Sequence, residues 1–217
     1  MKKNRFDVKI DLEIRNLSCW RQEKPILENI GFELGQGKCL LLRGPNGSGK
    51  STMLLCLSNI LPYSGDISWL VGDKGGVGGD ETEISHLVHF ITAQTAMKPA
   101  LSLAENLAFW AAMSGDDDSR VAGALEKSGL GGLDDFAAGH LSTGQKHRLS
   151  LARLLVSPRP IWLLDEPSST LDAQGDQWVG ELIDDHLKNN GMVIAATHRS
   201  IPLNRDSTVH TLDLGAS

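Results

Sequence analysis

The spacing of apolar residues changes character several times along the chain, and each change predicts a different element. VKIDLEI, residues 8–14, alternates apolar and polar positions and predicts a half-buried strand. KCLLLRG, residues 38–44, is a continuous apolar run closed by glycine, the pattern of a strand buried on both faces. Met53, Leu54, Leu57 and Leu61 then mark one face of a helix that begins near Lys50. DISWLV, residues 66–71, predicts a further strand, with GDKGGVGGDE after it as a flexible loop or hairpin tip, and HLVHFIT, residues 86–92, another strand. From about Ser102 to Ser142 helical spacing takes over. SLAENLAFWAAM opens on a capping box, Ser102 with Glu105, and the acidic run Asp116–Asp118 with Ser119 is expected to start the next helix, where negative charge suits the dipole. Leu149, Leu151, Ala152, Leu154 and Leu155 predict a helix behind Ser142, and PIWLLDE and GMVIAATH return to the buried-strand pattern.

Composition narrows the classes without choosing a function. A chain of 217 residues makes one domain, or one with a small subdomain, and buries a sizeable core. The net charge of −6, with no basic cluster longer than the opening MKKNR, argues against a surface devoted to nucleic acid. Charges in FDVKIDLEIR stand where a secretory signal needs an apolar core, and no apolar run is long enough to span a bilayer, so membrane contact is expected only through a partner. Cys19, Cys39 and Cys56 form no CxxC pair and are expected as buried thiols in a reducing compartment. His86 and His89, three apart in a strand-like run, point to opposite faces and share no metal.

The strongest chemical signal is GPNGSGKST, Gly44–Thr52. It fits G-x-x-x-x-G-K-[ST] between a buried strand and a helix, the context the motif requires. Gly44, Gly47 and Gly49, with Pro45, Asn46 and Ser48 between them, let backbone N–H groups wrap phosphate oxygens. Lys50 sets a positive charge against the β- and γ-phosphates, the Ser51 hydroxyl is placed for Mg²⁺, and Thr52 completes the motif. IWLLDE supplies a second half: Asp165 at the carboxyl end of a central strand holds the Mg²⁺, and Glu166 polarises the attacking water. His198 ends another apolar strand and is either a γ-phosphate sensor or a structural histidine. Gln94 is either a loop amide or a ligand to magnesium and water.

LSTGQ, residues 141–145, also admits two readings. Ser142 and Gln145 form a capping box, while the free N–H groups and dipole of the helix they start also make an anion site, with Gly144 keeping the approach open. Trp20, upstream of the phosphate loop, reads on its own as a strand-end core residue.

In this order, GPNGSGKST, Gln94, LSTGQ, IWLLDE, SSTLD and His198 resemble the ATP-binding subunits of ABC transporters over nearly the whole chain. The resemblance implies two subunits packed head to tail, with ATP between the phosphate loop of one and the LSTGQ segment of the other. It makes Ser142 and Gly144 γ-phosphate contacts across the dimer, Asp172 a dimer contact, Gln94 the link to a membrane partner and Trp20 a stack for adenine. Thr143 departs from the usual glycine at a position the family varies. HFITAQTAMKPALSLAENLAFWAAMSG, with Met97–Ala100, Glu105, Asn106, Phe109 and Trp110, is similar more narrowly to the ATP-binding subunits of the cytochrome c maturation, or haem exporter, system. That implies a CcmB-type permease as partner and a peripheral place on the cytoplasmic face of the inner membrane. No CxxCH or Cys-Pro is present to suggest that this chain itself touches haem.

The expected fold is α/β: a P-loop NTPase core with a mostly parallel sheet, an antiparallel β region, and a helical subdomain at about residues 95–145 within one ATP-binding domain over 1–217. The expected function is ATP hydrolysis with Mg²⁺, with Glu166, His198 and Gln94 catalytic and Ser51, Asp165 and Gln94 about the metal. The alternatives are another ABC exporter, a soluble ABC ATPase acting on nucleic acid or ribosomes, which usually carries a coiled-coil insertion, second cassette or basic surface, and a P-loop kinase, which has no use for LSTGQ or SSTLD.

Overall fold

The computed structural model describes residues 6, 9–72, 84–204 and 208–215. The MKKNR opening and nearly all of GDKGGVGGDE lie outside them. Three strands form an antiparallel sheet: β1 (Ile10–Arg21) in the centre, β2 (Lys24–Gly35) on one side and β4 (Ser64–Val71) on the other. IDLEI, the described part of the predicted strand beyond Lys9, is the start of a much longer one. Register shifts after Ile14 and Leu17, with Asn16 in the left-handed region at φ 53°, bend β1 so that it continues to the hairpin with β2.

The second sheet is wholly parallel, in the order β5 (Val88–Ile91), β6 (Ile161–Asp165), β7 (Met192–Ala196), β3 (Cys39–Arg43), β8 (Val209–Asp213). The strands predicted from continuous apolar runs are its inner members, and β7 is buried at every residue. Covered on both faces, they have no polar side to show. VHTLD of β8 is half-buried or exposed at an edge, which leaves it without that signature.

Among the described residues, five α-helices pack on this frame: α1 (Lys50–Leu57), α2 (Leu103–Met113), α3 (Val121–Lys127), α4 (Thr143–Val156) and α5 (Ala173–Lys188). Leu40, Leu42, Met53, Leu54, Leu163 and Ile194 join the antiparallel sheet to one face of the parallel sheet through α1. Leu41, Trp162, Val193, Val179 and Ile183 pack α5 on the opposite face. Leu103, Leu107, Leu125, Leu141 and Leu149 form a third cluster among α2, α3 and α4. The capping box at Ser102 is present in both directions. The acidic run differs from expectation. Arg120 occupies the N-cap position of α3 without a side-chain cap bond, the Asp117 carboxylate takes the N–H of Ser119 at 3.0 Å, and Asp116 turns away to Ser157 and Arg159. These aspartates build the turn before the helix, where short carboxylates bond backbone locally, and not its first turn. Cys19, Cys39 and Cys56 are free and buried.

Candidate functional site: a phosphate loop beside an acidic strand end

β3 ends at Arg43, and from Gly44 the chain reverses through Pro45–Gly49 into α1. Two glycines make this loop possible. Gly44 sits at φ 135°, where a Cβ would overlap the carbonyl oxygen of Leu214; Gly49 caps α1 at φ 97°, where a Cβ would lie 2.7 Å from Cδ2 of Leu27. Pro45, Asn46 and Gly47 are exposed, the Ser48 N–H bonds back to the Pro45 carbonyl at 3.2 Å, and Thr52 is buried. Lys50 is buried, and its Nζ donates to the carbonyls of Gly44 (2.8 Å) and Pro45 (3.0 Å). No carboxylate pairs with it among the described residues. A buried ammonium whose hydrogen bonds go only to carbonyl oxygens is suited to take an anion in the loop as a stronger acceptor. Ser48 Oγ is likewise buried without a hydrogen bond.

β6 delivers the acids. Asp165 Oδ1 accepts from Ser51 Oγ at 3.0 Å, which ties the strand end to the first turn of α1. Burial raises the Asp165 carboxyl above the usual range, and the Glu166 charge adds to that; the Ser51 hydrogen bond and the Lys50 charge oppose it. Glu166 adopts φ 53°, unusual for a residue with a side chain, and its N–H is fixed to the carbonyl of Ala196 at 2.8 Å. Its Oε2 is buried, makes no directed hydrogen bond, and lies 2.9 Å from Nδ1 of His198 at the end of β7, whose ring is 55% exposed. The loop, Ser51, Asp165, Glu166 and His198 therefore gather at the carboxyl ends of adjacent parallel strands, where this sheet type opens a crevice.

The remaining predicted residues lie around that centre. Ser142 caps α4: its Oγ accepts from the Gln145 N–H at 3.3 Å while its own N–H donates to Gln145 Oε1 at 2.9 Å. The space in front of Gly144 faces the Thr170 carbonyl and Leu171 of the SSTLD loop. Gln94 lines a 340 Å³ cavity with Thr143, Lys146, His147 and Thr170; no hydrogen bond joins it to Ser51 or Asp165. Asp172 caps α5 by accepting from the Gly175 N–H at 2.8 Å. Trp20 is 50% exposed beside Cys19, whose cross-strand partner Leu27 is the residue against Gly49. The sequence reading missed Arg199. Its Nη1 donates to the carbonyls of Ser168 (2.8 Å) and Leu171 (3.0 Å), and Nη2 pairs with Asp176 at 2.7 Å. His147, buried under the same loop, lies 2.7 Å from the Pro167 carbonyl.

The family model described as ABC transporter matches residues 27–169, from within β2 to the segment after Glu166. The chain belongs to the ABC transporter family. As a member it is an ATP-binding, ATP-hydrolysing subunit of the kind that pairs with a second ATP-binding domain and a membrane permease. A relative from Brucella melitensis, "Cytochrome c biogenesis ATP-binding export protein CcmA", is 40% identical over 205 residues, covering 94% of this chain and 92% of its own. One of the same name from Mesorhizobium japonicum is 43% identical over 183 residues, 84% of this chain and 89% of its own. A solved putative ABC transporter ATP-binding protein from Pyrococcus furiosus superimposes with a TM-score of 0.78 at 26% identity, covering 94% of this chain and 97% of its own. A bacterial Atm1-family ABC exporter with ATP bound gives 0.73 at 24% identity, over 88% of this chain and 35% of its own, and shares the fold. Among the described residues no helix is long and apolar enough to cross a membrane.

Proposed function

We propose that the chain is the ATP-hydrolysing subunit of a cytochrome c biogenesis export complex, working through a CcmB-type permease on the cytoplasmic face of the inner membrane. Identity of 40% over nearly its full length to relatives carrying that name supports the reading. Residues 1–217 form one ATP-binding domain, its helical part at about 95–145 sharing α4 with the core. Haem or its chaperone is handled by the membrane partners.

Within the site, backbone N–H groups of Gly44–Thr52 and Lys50 bind the phosphates, and Trp20 stacks on adenine. Ser51 and Asp165 would hold Mg²⁺, since a hydroxyl and a carboxylate are hard oxygen donors of the kind this ion takes. Bound there, it neutralises charge on the phosphate oxygens. Glu166 accepts the proton of the attacking water, and the imidazole of His198, 2.9 Å from its carboxylate, orients that group and meets the γ-phosphate. Gln94, which lines a cavity with Thr143 and Thr170, links the site to the permease, and its amide would serve the metal and the water. Ser142 and Gly144 of a second copy cover the γ-phosphate, with Asp172 at the dimer contact.

Deletion of the gene tests the assignment. Haem-stained membranes should lose their c-type bands and keep b-type haem proteins, and wild-type chain, but not Lys50→Ala, should restore them. Normal c-type bands in the deletion would leave an ABC ATPase that serves another exporter.

A further inference from the structure

The turn that carries Glu166 is fastened along its backbone. The Glu166 N–H donates to the carbonyl of Ala196, and Arg199 takes the Ser168 and Leu171 carbonyls; both fasteners belong to the end of β7 and the loop after it. The Pro167 carbonyl, between them, is taken by His147 at 2.7 Å. His147 comes from a different element, the second turn of α4, five residues behind Ser142. A carbonyl only accepts, so the proton sits on Nε2 of His147 and the ring donates. The side chain is buried, and burial lowers its pKa while the Pro167 bond opposes the shift, so the ring at pH 7 is neutral. Among the described residues no other side-chain hydrogen bond joins α4 to residues 166–171.

A buried histidine satisfied by a carbonyl is ordinarily packing, and two features carry this one further. Its acceptor belongs to the residue directly after Glu166, whose φ of 53° persists only where the surroundings hold it, so a shift at Pro167 is a shift at the base. Its helix, moreover, begins in LSTGQ. A Cβ at Gly144 would lie 3.5 Å from the Thr170 carbonyl oxygen, so the head of α4 abuts the far end of the same turn. Five residues of α-helix span about 7.5 Å and move as a rigid piece, so a displacement at Ser142 reaches His147. In the dimer proposed above, LSTGQ covers the ATP on the second copy's phosphate loop, whereas Glu166 serves the ATP on its own. The His147–Pro167 bond then runs, inside one chain, from one ATP site to the other.

We propose that His147 is a positioning residue that couples the two ATP sites: LSTGQ, settled on the ATP of the second copy, sets the Glu166 of its own chain through the His147–Pro167 bond. The proposal rests on the reading of LSTGQ as a contact in trans. At saturating ATP, His147→Leu should lower kcat by roughly 10–100-fold, the scale of a misplaced catalytic group, and leave ATP affinity unchanged, because the phosphate loop is untouched. His147→Gln, with an amide N–H near the place of Nε2, should restore kcat. Mixed dimers separate coupling from packing. Ser142→Arg and Lys50→Ala chains mixed in equal amounts leave about half the dimers with one intact site, so independent sites return about a quarter of the parent homodimer's activity. In the wild-type background recovery should fall well below that fraction, because the base of the intact site is tied to an LSTGQ that meets no ATP. With His147→Leu in both chains it should rise to about a quarter of the His147→Leu homodimer's own activity, and His147→Gln should follow wild type. His147→Asn, too short to reach Pro167, takes the place of His147→Leu if that variant does not fold. Recovery of the full fraction in the wild-type background, or the same fraction with and without the bond, overturns the proposal. If wild-type chains show no ATP-dependent crosslinking, the reading in trans falls and the proposal with it, a result distinct from the other two.

Discussion

Glu166 shows how much of the site is set by single residues. Its left-handed φ of 53° is held by the N–H bond to Ala196, and strain of this kind costs about 1–3 kcal/mol, which the neighbouring strand β7 offsets. Glu166→Gln keeps the shape and removes the base, so ATP binding should persist while hydrolysis slows by about 10²-fold or more. Equilibrium binding and single-turnover hydrolysis check this; unchanged turnover would remove Glu166 from the mechanism. Arg199 acts at one remove. Arg199→Ala strips donors from two carbonyls and from Asp176, with an expected loss of about 1–3 kcal/mol in stability and a lower kcat at saturating ATP, because the SSTLD loop loses its anchor. Arg199→Lys, which keeps the charge but not the fork, should recover the Asp176 pair and only part of kcat. A thermal melt and a kcat that both match wild type would show that the loop is held by other means. Lys50, Ser51 and Asp165 could be found in the sequence because their chemistry is written in contiguous motifs. Arg199 could not, since its partners lie 23 to 31 residues away and come together only when β7 is laid beside β6.

Among the elements, the same division holds. β3, β6 and β7 were legible because a strand buried on both faces leaves an unbroken apolar run. β2 and β8 were not, since half-exposed strands such as VHTLD read much like loop. α5 did offer a signal, Val179, Ile183 and Leu187 at four-residue spacing, which went unread behind the SSTLD turn. α4 also does more than its period announces. Leu149, Ala152 and Val156 face the helical cluster, while Leu151 and Leu154 face the parallel sheet, so one helix couples the two. His89 pins the end of that helix to β5 through the Ser157 carbonyl. Burial holds its pKa near 4, below the ordinary 6.5, so the unfolded chain binds this proton more readily than the folded one. The stabilising effect of the neutral ring is therefore intact above pH 6.5 and is lost as pH falls toward 4, by about 3 kcal/mol in all at roughly 1.4 kcal/mol per pH unit. His89→Gln keeps a donor for Ser157 and does not titrate. Denaturant melts at several pH values should show a flatter acid limb for it between pH 6.5 and 4. Parallel limbs for variant and wild type would place the acid sensitivity elsewhere.

At the scale of the whole molecule, the LSTGQ segment has two roles to reconcile, and they differ in where damage appears. Within one chain Ser142 is an ordinary cap, and among the described residues no hydrogen bond joins Ser142 or Gly144 to the phosphate loop. If these residues meet phosphate, the loop belongs to a second copy. As a cap alone, Ser142→Arg should cost about 1 kcal/mol of stability and harm only its own chain. As a contact in trans, it should abolish hydrolysis in a protein that still folds, and the defect should be complementable. In a two-fold dimer of Ser142→Arg with Lys50→Ala, both lesions fall in one ATP site and the other site is intact. Random mixing makes about half the dimers mixed, each with one working site, so about a quarter of wild-type activity should return if the sites act independently. Coupling between sites would suppress that recovery without undoing the assembly, so the mixture should also be crosslinked with and without ATP. Two folded variants that, when mixed, regain neither activity nor ATP-dependent crosslinking would confine LSTGQ to capping α4.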